Sequence, residues 1–366
     1  MQIPFFDYKF LYSENRNNYI DIFDRVCKSG RFIMGEELLE FEHKLSIFVG
    51  SKYSIGVANA TDALQLLLIS CDFPEGSEVL VSSHTMIATV SAIKFAKLVP
   101  VIMDINEFGL IDADDIPAYI TNKTVAIVPT QLNGAICEMD VINNYAKSFS
   151  LKVIEDSAQA LGAKYNGISA GNFGIGGCIS FYPAKTLGCF GDGGAIICND
   201  VSVYNKIMSL RNHGKDIDKY KYWGYNSRLD NLQAAFLLYN LSFYPDTISY
   251  RRNIYSLYLD YLQDIPQLTL PRTLLSNKYF DICQNFEVQA ENRDELIRFL
   301  KDKGIGTLVQ WGGKLIHQMS DLNISIKLNK AEIFSKKYLM LPLNLTINEN
   351  KISFIAANIK SFYKIK

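Results

Sequence analysis

The chain has 366 residues, enough for a large domain with a smaller companion, and its 37 Lys plus Arg stand against 38 Asp plus Glu. So near a balance excludes a bulk field for a nucleic acid or an anionic membrane, and any anion must be held locally. Hydrophobic residues make up 48%, yet no apolar run is long enough to span a bilayer and Met1 to Asp7 lacks a signal pattern, so a cytoplasmic location is expected.

From about residue 50 to 200, short β-branched runs alternate with helical patterns, the mark of an α/β domain with a mainly parallel sheet. Strands are expected over 54–58, 78–82, 99–103, 124–128, 152–155, 177–180 and 194–198. After the first of them a helix opens at Thr61-Asp62, which places the Thr61 hydroxyl and the N–H groups of Ala60 and Thr61 at a helix N-terminus. That arrangement is either an ordinary cap or a cradle for a phosphate. Asp156 follows a buried strand directly; it either caps the next helix or faces a cation, because an unpaired buried carboxylate is costly.

Further on, Ser180-Phe181-Tyr182-Pro183-Ala184-Lys185 leads into the glycine-rich Gly191-Asp192-Gly193-Gly194. Lys185 is either a solvated surface amine or one that reaches back to the sheet edge and loses its proton by desolvation. The three segments fall at strand ends, where open α/β sheets bind ligands. Together they suit pyridoxal 5'-phosphate, with phosphate at Thr61, the pyridinium nitrogen on Asp156 and the aldehyde on Lys185. The G-x-G-x-x-G dinucleotide fingerprint is absent. A long helical region over 232–264, broken near Tyr244-Pro245, separates a part spanning 1–240 (N-terminal segment and large cofactor-binding domain) from a smaller C-terminal α/β domain over 241–366. Seven scattered cysteines without a C-x-x-C pair and four scattered histidines predict neither a disulfide framework nor a metal site.

Six stretches carry a resemblance that spans nearly the whole chain: Phe32 to Glu37 with Phe41-Glu42, Ala58 to Leu64, Glu155 to Ala160, Ser180 to Lys185 with Gly191 to Ala195, Leu210 to Gly214, and Asn226 to Ala235. They resemble the DegT/StrS-type sugar-nucleotide aminotransferases, which implies a type I fold of pyridoxal-phosphate enzymes. By that resemblance Lys185 is the Schiff-base lysine, Asp156 meets the ring nitrogen, Gln159 lies by the ring hydroxyl and Ser180 contacts phosphate. Asn226 would reach the phosphate of a neighbouring subunit, implying a homodimer with shared active sites. L-Glutamate would donate the amino group through pyridoxamine 5'-phosphate to a nucleotide-linked keto-sugar. Ala60 replaces the usual glycine, Leu161 stands where a histidine is common, and Met86 takes the place of a ring-stacking aromatic, with His84 as the alternative cover. Thr130 to Gly134 and Gly304 to Gln318 look like enzymes that aminate C4 of dTDP-4-keto-6-deoxy-D-glucose, giving dTDP-4-amino-4,6-dideoxy-D-glucose for lipopolysaccharide O-antigen; amination at C3 is the alternative. Asn133, Trp311 and Lys314 would border the nucleotide-sugar, Trp311 by stacking and Lys314 near the diphosphate, or else serve ordinary packing.

Overall fold

The computed structural model describes residues 1–322, 324 and 326–365. Seven strands form one sheet: β1 (Tyr53–Val57), β2 (Glu78–Ser82), β3 (Val99–Met103), β4 (Thr124–Val128), β5 (Lys152–Asp156), β6 (Gly176–Ser180) and β7 (Gly194–Cys198). Their order is β1-β7-β6-β5-β4-β2-β3. The run from β6 to β3 is parallel, and β7 lies antiparallel to both of its neighbours. The sheet is thus α/β and mainly parallel, as the alternation of strand and helix patterns predicts.

These strands read as near-continuous apolar runs because both faces of the sheet are covered. Side chains alternate between two cores: Leu80, Ile127, Val153, Ile179 and Ile197 enter one, while Val79, Val81, Ala126, Val128, Ile154, Cys178 and Ile196 enter the other. The Asn231–Leu241 and Tyr244–Leu262 helices meet at the expected break, with Pro245 in the first turn of the second, where its missing N–H costs nothing.

A second, antiparallel sheet follows: β8 (Leu268–Thr269), β9 (Phe286–Ala290) and β10 (Tyr338–Leu341), in the order β8-β9-β10. Its core joins Phe286, Val288, Leu339 and Leu341 to Tyr258 and Leu262 of the preceding helix. Ile3 is buried in this later core and bridges to Ile305, so the first residues of the chain run across to the C-terminal part. No helix among the described residues is long and apolar enough to cross a membrane, and no cluster of His, Cys, Asp or Glu there could hold a metal ion.

Candidate active site

A cleft of about 1370 Å³, part of it open solvent, collects the ends of β1, β5 and β6 on one side and Gln284, Asn285, Leu308, Gln310, Trp311 and Met340 on the other. The carboxyl end of β1 runs through Asn59 into the Ala60–Ser70 helix, whose Asn59 side chain accepts from the Asp62 N–H at 2.8 Å. The first-turn N–H groups of Ala60 and Thr61 have no intrahelical acceptor, and they carry the positive end of the helix dipole into the cleft. Strand β7 lies tight against this turn. A Cβ on Gly194 would stand 2.4 Å from the Asn59 carbonyl carbon, so glycine is needed to let the backbones approach.

Asp156 closes β5 and is only 7% exposed. Three neutral donors hold it: the Thr89 hydroxyl at 2.6 Å, the Ala158 N–H at 3.1 Å and the Cys178 thiol at 3.4 Å. Thr89 is the last member of a row of hydroxyls in which Thr130 donates to Thr85 at 2.8 Å and Thr85 lies 2.8 Å from Thr89. The row ends on the carboxylate and fixes its direction. Lys185 follows β6 on a turn closed by its N–H to the Tyr182 carbonyl at 2.8 Å. Burial lowers its amine to about 8, against the opposing pull of the Asp156 carboxylate and of Cys178. At pH 7 about a tenth of such an amine is neutral, against well under a thousandth for an ordinary lysine, which favours a nucleophile and proton carrier.

Among the residues singled out from the sequence, Ala60, Thr61, Met86, Asp156, Gln159, Ser180, Lys185 and Trp311 all line this one cleft. Met86 is 49% exposed there. His84 does not share that surface: it is fully buried, with its Nδ1 3.0 Å from the Gly109 carbonyl and its ring against Trp311, Phe334 and Tyr338. Asn133 stands one layer behind the cleft, donating its N–H to Gln159 Oε1 at 2.9 Å and accepting from Gln310 and Asn285, each at 2.8 Å. Lys314 is exposed and outside the cleft lining, because Trp311, Gly312 and Gly313 all take left-handed backbone angles and turn the chain away before Leu315 and Ile316 dive into the core. Asn226 is exposed too, bridging to Asn212 outside the cleft. The sequence reading missed Thr89, Tyr182, Asn285 and Gln310, and also Phe6 and Tyr8, which the N-terminal crossing brings to the same wall. Tyr182 sits inside the Ser180 to Lys185 motif and could have been found; Phe6 and Tyr8 carry no local signal.

The donor set fits pyridoxal 5'-phosphate. The free turn at Ala60 and Thr61, with Ser180, suits a phosphate dianion, while Asp156, buried among neutral donors, suits a ring cation. When bound, that cofactor supplies an aldehyde that amines condense with and a ring that takes up electrons. With it bound, Lys185 would be placed to carry the proton and Asp156 to orient the ring and keep it charged. A fold and site of this kind define a pyridoxal-phosphate enzyme.

Its family follows from comparison with known proteins. The chain belongs to the DegT/DnrJ/EryC1/StrS aminotransferase family, whose model matches residues 13–360, and is an enzyme of the sugar-nucleotide aminotransferase type. It is 40% identical to the dTDP-3-amino-3,6-dideoxy-alpha-D-galactopyranose transaminase of Aneurinibacillus thermoaerophilus, over 84% of this chain and 85% of that one. The solved structure of DesV from S. venezuelae superimposes with a TM-score of 0.95 at 32% identity, covering 100% of this chain and 99% of that one. That of NtdA from Bacillus subtilis, with bound cofactor PMP, gives a TM-score of 0.90 at 26% identity, covering 98% and 85%.

Proposed function

We propose that the protein moves the amino group of L-glutamate to C3 of a dTDP-linked 3-keto-6-deoxyhexose, releasing 2-oxoglutarate. The class of reaction is carried by one observation: the depressed Lys185 amine and the buried Asp156 carboxylate share a cleft with an open helix N-terminus. Position 3 and the dTDP carrier are supported by the activity for which the Aneurinibacillus relative, at 40% identity, is named. In this reading Lys185 would take the proton from the glutamate carbon that gives up the nitrogen and deliver one to the sugar carbon that receives it, Asp156 would hold the ring, and the Ala60 to Thr61 turn with Ser180 would anchor the phosphate. Met86 packs its sulfur on the ring face, and Trp311 stacks on the nucleotide-sugar at the cleft wall. Two subunits complete the site, each lending its exposed Asn226 to the phosphate of the other. The chain divides near residue 240 into a cofactor-binding part and a smaller C-terminal part.

Amination at C4 of dTDP-4-keto-6-deoxy-D-glucose is the second reading, favoured by the resemblance of Thr130 to Gly134 and of Gly304 to Gln318 to C4 enzymes. Incubation of the holoenzyme with L-glutamate and each keto-sugar, followed by NMR location of the new nitrogen, separates them. Product from the 3-keto-sugar alone supports the first reading; nitrogen at C4 overturns it and leaves the class intact.

A further inference from the structure

Lys185 stands on a turn that has little else to hold it. Residues 182–187 form no helix or strand, and their backbone closes on itself, the Lys185 N–H donating to the Tyr182 carbonyl. Among the described residues, the Thr186 hydroxyl makes the only hydrogen bond from 182–187 to a residue outside 180–193: it lies 2.6 Å from the hydroxyl of Tyr244. The Tyr244 hydroxyl in turn donates to the carbonyl of Leu161 at 2.9 Å. Leu161 belongs to the segment that runs on from Asp156 through Gln159. That segment folds in two tight turns, closed by the Ala160 N–H on the Ser157 carbonyl and the Ala163 N–H on the Ala160 carbonyl, each at 3.0 Å.

The two bonds have one sense. A carbonyl only accepts, so the phenol proton goes to Leu161, and Thr186 gives its own proton to the phenol oxygen. Burial keeps that phenol protonated, holding it above the ordinary tyrosine value. The Tyr244 ring is 1% exposed and belongs to the same core as Leu161, Phe181, Leu187 and Ile248, which fixes where its hydroxyl points. Tyr244 also opens the Tyr244–Leu262 helix, on which Arg251, two turns later, donates to the carbonyls of Cys283 at 3.0 Å and Leu343 at 2.8 Å. The hydroxyl that joins the two segments is thus backed by an element that belongs to neither.

We propose that Tyr244 is a positioning residue: its one hydroxyl clamps the turn that carries Lys185 to the segment that follows Asp156, and so holds amine and carboxylate in register across one cofactor ring. The proposal rests on the reading of this cleft as the cofactor site. Neither Tyr244 nor Thr186 lines the cleft, so their hydroxyls act through Lys185 and Asp156 and not on a ligand. Loosening the turn lets water reach the Lys185 amine, whose low value depends on burial against the opposing pull of Asp156 and Cys178.

Three variants test it. Tyr244→Phe keeps the buried ring and removes both bonds; Thr186→Val removes one of them, and Thr186→Ser keeps both. The readouts are the rate at which holoenzyme bleaches with L-glutamate, its dependence on glutamate concentration, and the pH at which modification of the apoenzyme by pyridoxal phosphate levels off. Tyr244→Phe is expected to lower the limiting rate by about tenfold and to change the half-saturating glutamate concentration by less than about twofold, since the clamp aligns reacting groups without binding substrate. Its levelling-off should move from about 8 toward the ordinary lysine value. Thr186→Val should lose about threefold or more in rate, while Thr186→Ser stays within about twofold of wild type. Adding Thr186→Val to Tyr244→Phe should cost less than about twofold further, because the shared bond is already gone. Wild-type rate and pH response in Tyr244→Phe, whatever its melting temperature, overturn the proposal, as does a double variant whose losses multiply. If Tyr244→Phe does not fold, the Thr186 pair decides, and equal rates in Thr186→Val and Thr186→Ser refute the clamp. A wild-type protein that takes up no pyridoxal phosphate would instead refute the reading of the cleft.

Discussion

Replacing Asp156 by Asn removes one charge while keeping the shape of the site, which makes it the sharpest single perturbation of the chemistry. The Asn carbonyl can still accept the Ala158 N–H, now at 3.1 Å, and its NH2 can turn toward Thr89, whose hydroxyl row can reverse because the Thr85 and Thr89 hydroxyls can each donate or accept. What is lost is the attraction between a carboxylate and a ring cation at contact, about 1 to 3 pKa units or roughly 1.4 to 4 kcal/mol. With Asp156 only 7% exposed, solvent screens little of this, and the upper half of the range applies. The expected fall in the rate of the glutamate half-reaction is therefore about a hundredfold to a thousandfold. Stopped-flow loss of the cofactor's yellow absorbance on mixing with L-glutamate measures it directly. A variant that retains bound cofactor and bleaches within about threefold of the wild-type rate would refute the assigned role of this carboxylate.

Other consequences follow from the same geometry. Lys185→Ala should lower transamination by at least about a thousandfold, measured as amino-sugar formed, since the variant loses both nucleophile and proton carrier. Modification of the apoenzyme by pyridoxal phosphate should accelerate with pH and level off above about 8, because the Lys185 amine is depressed to that value; a rate still climbing toward 10.4, the ordinary lysine value, would contradict the desolvated site. Gly194→Ala should cost about 1 to 3 kcal/mol in denaturant melts and weaken cofactor retention, since its Cβ would press on the Asn59 carbonyl carbon and shift the first turn of the Ala60–Ser70 helix. For Glu287 the folded value, about 8, lies above the ordinary 4.5. The folded state therefore holds a proton that the unfolded state releases between those values, and wild-type stability falls as pH rises through that window. The Tm of Glu287→Gln, which has no such proton, should gain on wild type across the same window.

The sheet was legible because its signals are local. Four strands, 78–82, 99–103, 124–128 and 194–198, fall on the expected residues, since short β-branched apolar runs stand out between polar turns. Lys185, Asp156 and Thr61 were legible for a related reason: Asp156 ends a strand, Thr61 and Lys185 follow strands within a few residues, and strand ends of an open sheet converge. What stayed hidden depends on contacts between distant segments. Glu287 reads as one polar letter in the strand Phe286–Ala290, and only packing shows that it meets His84, some two hundred residues earlier in the chain. Phe6 and Tyr8 reach the cleft only because Ile3 bridges to Ile305. That Lys314 lies outside the cleft lining follows from three consecutive left-handed residues, of which the first is a tryptophan that no turn rule would place there.

If the site is as proposed, the amine of residue 185 is the one that binds the aldehyde of pyridoxal phosphate. Borohydride reduction of the holoenzyme, proteolysis and mass spectrometry of the peptides test it most directly. The reduced pyridoxyl phosphate mass is expected on the peptide containing Lys185 and should disappear in Lys185→Ala. The same label on another lysine, with Lys185 unmodified, would contradict it.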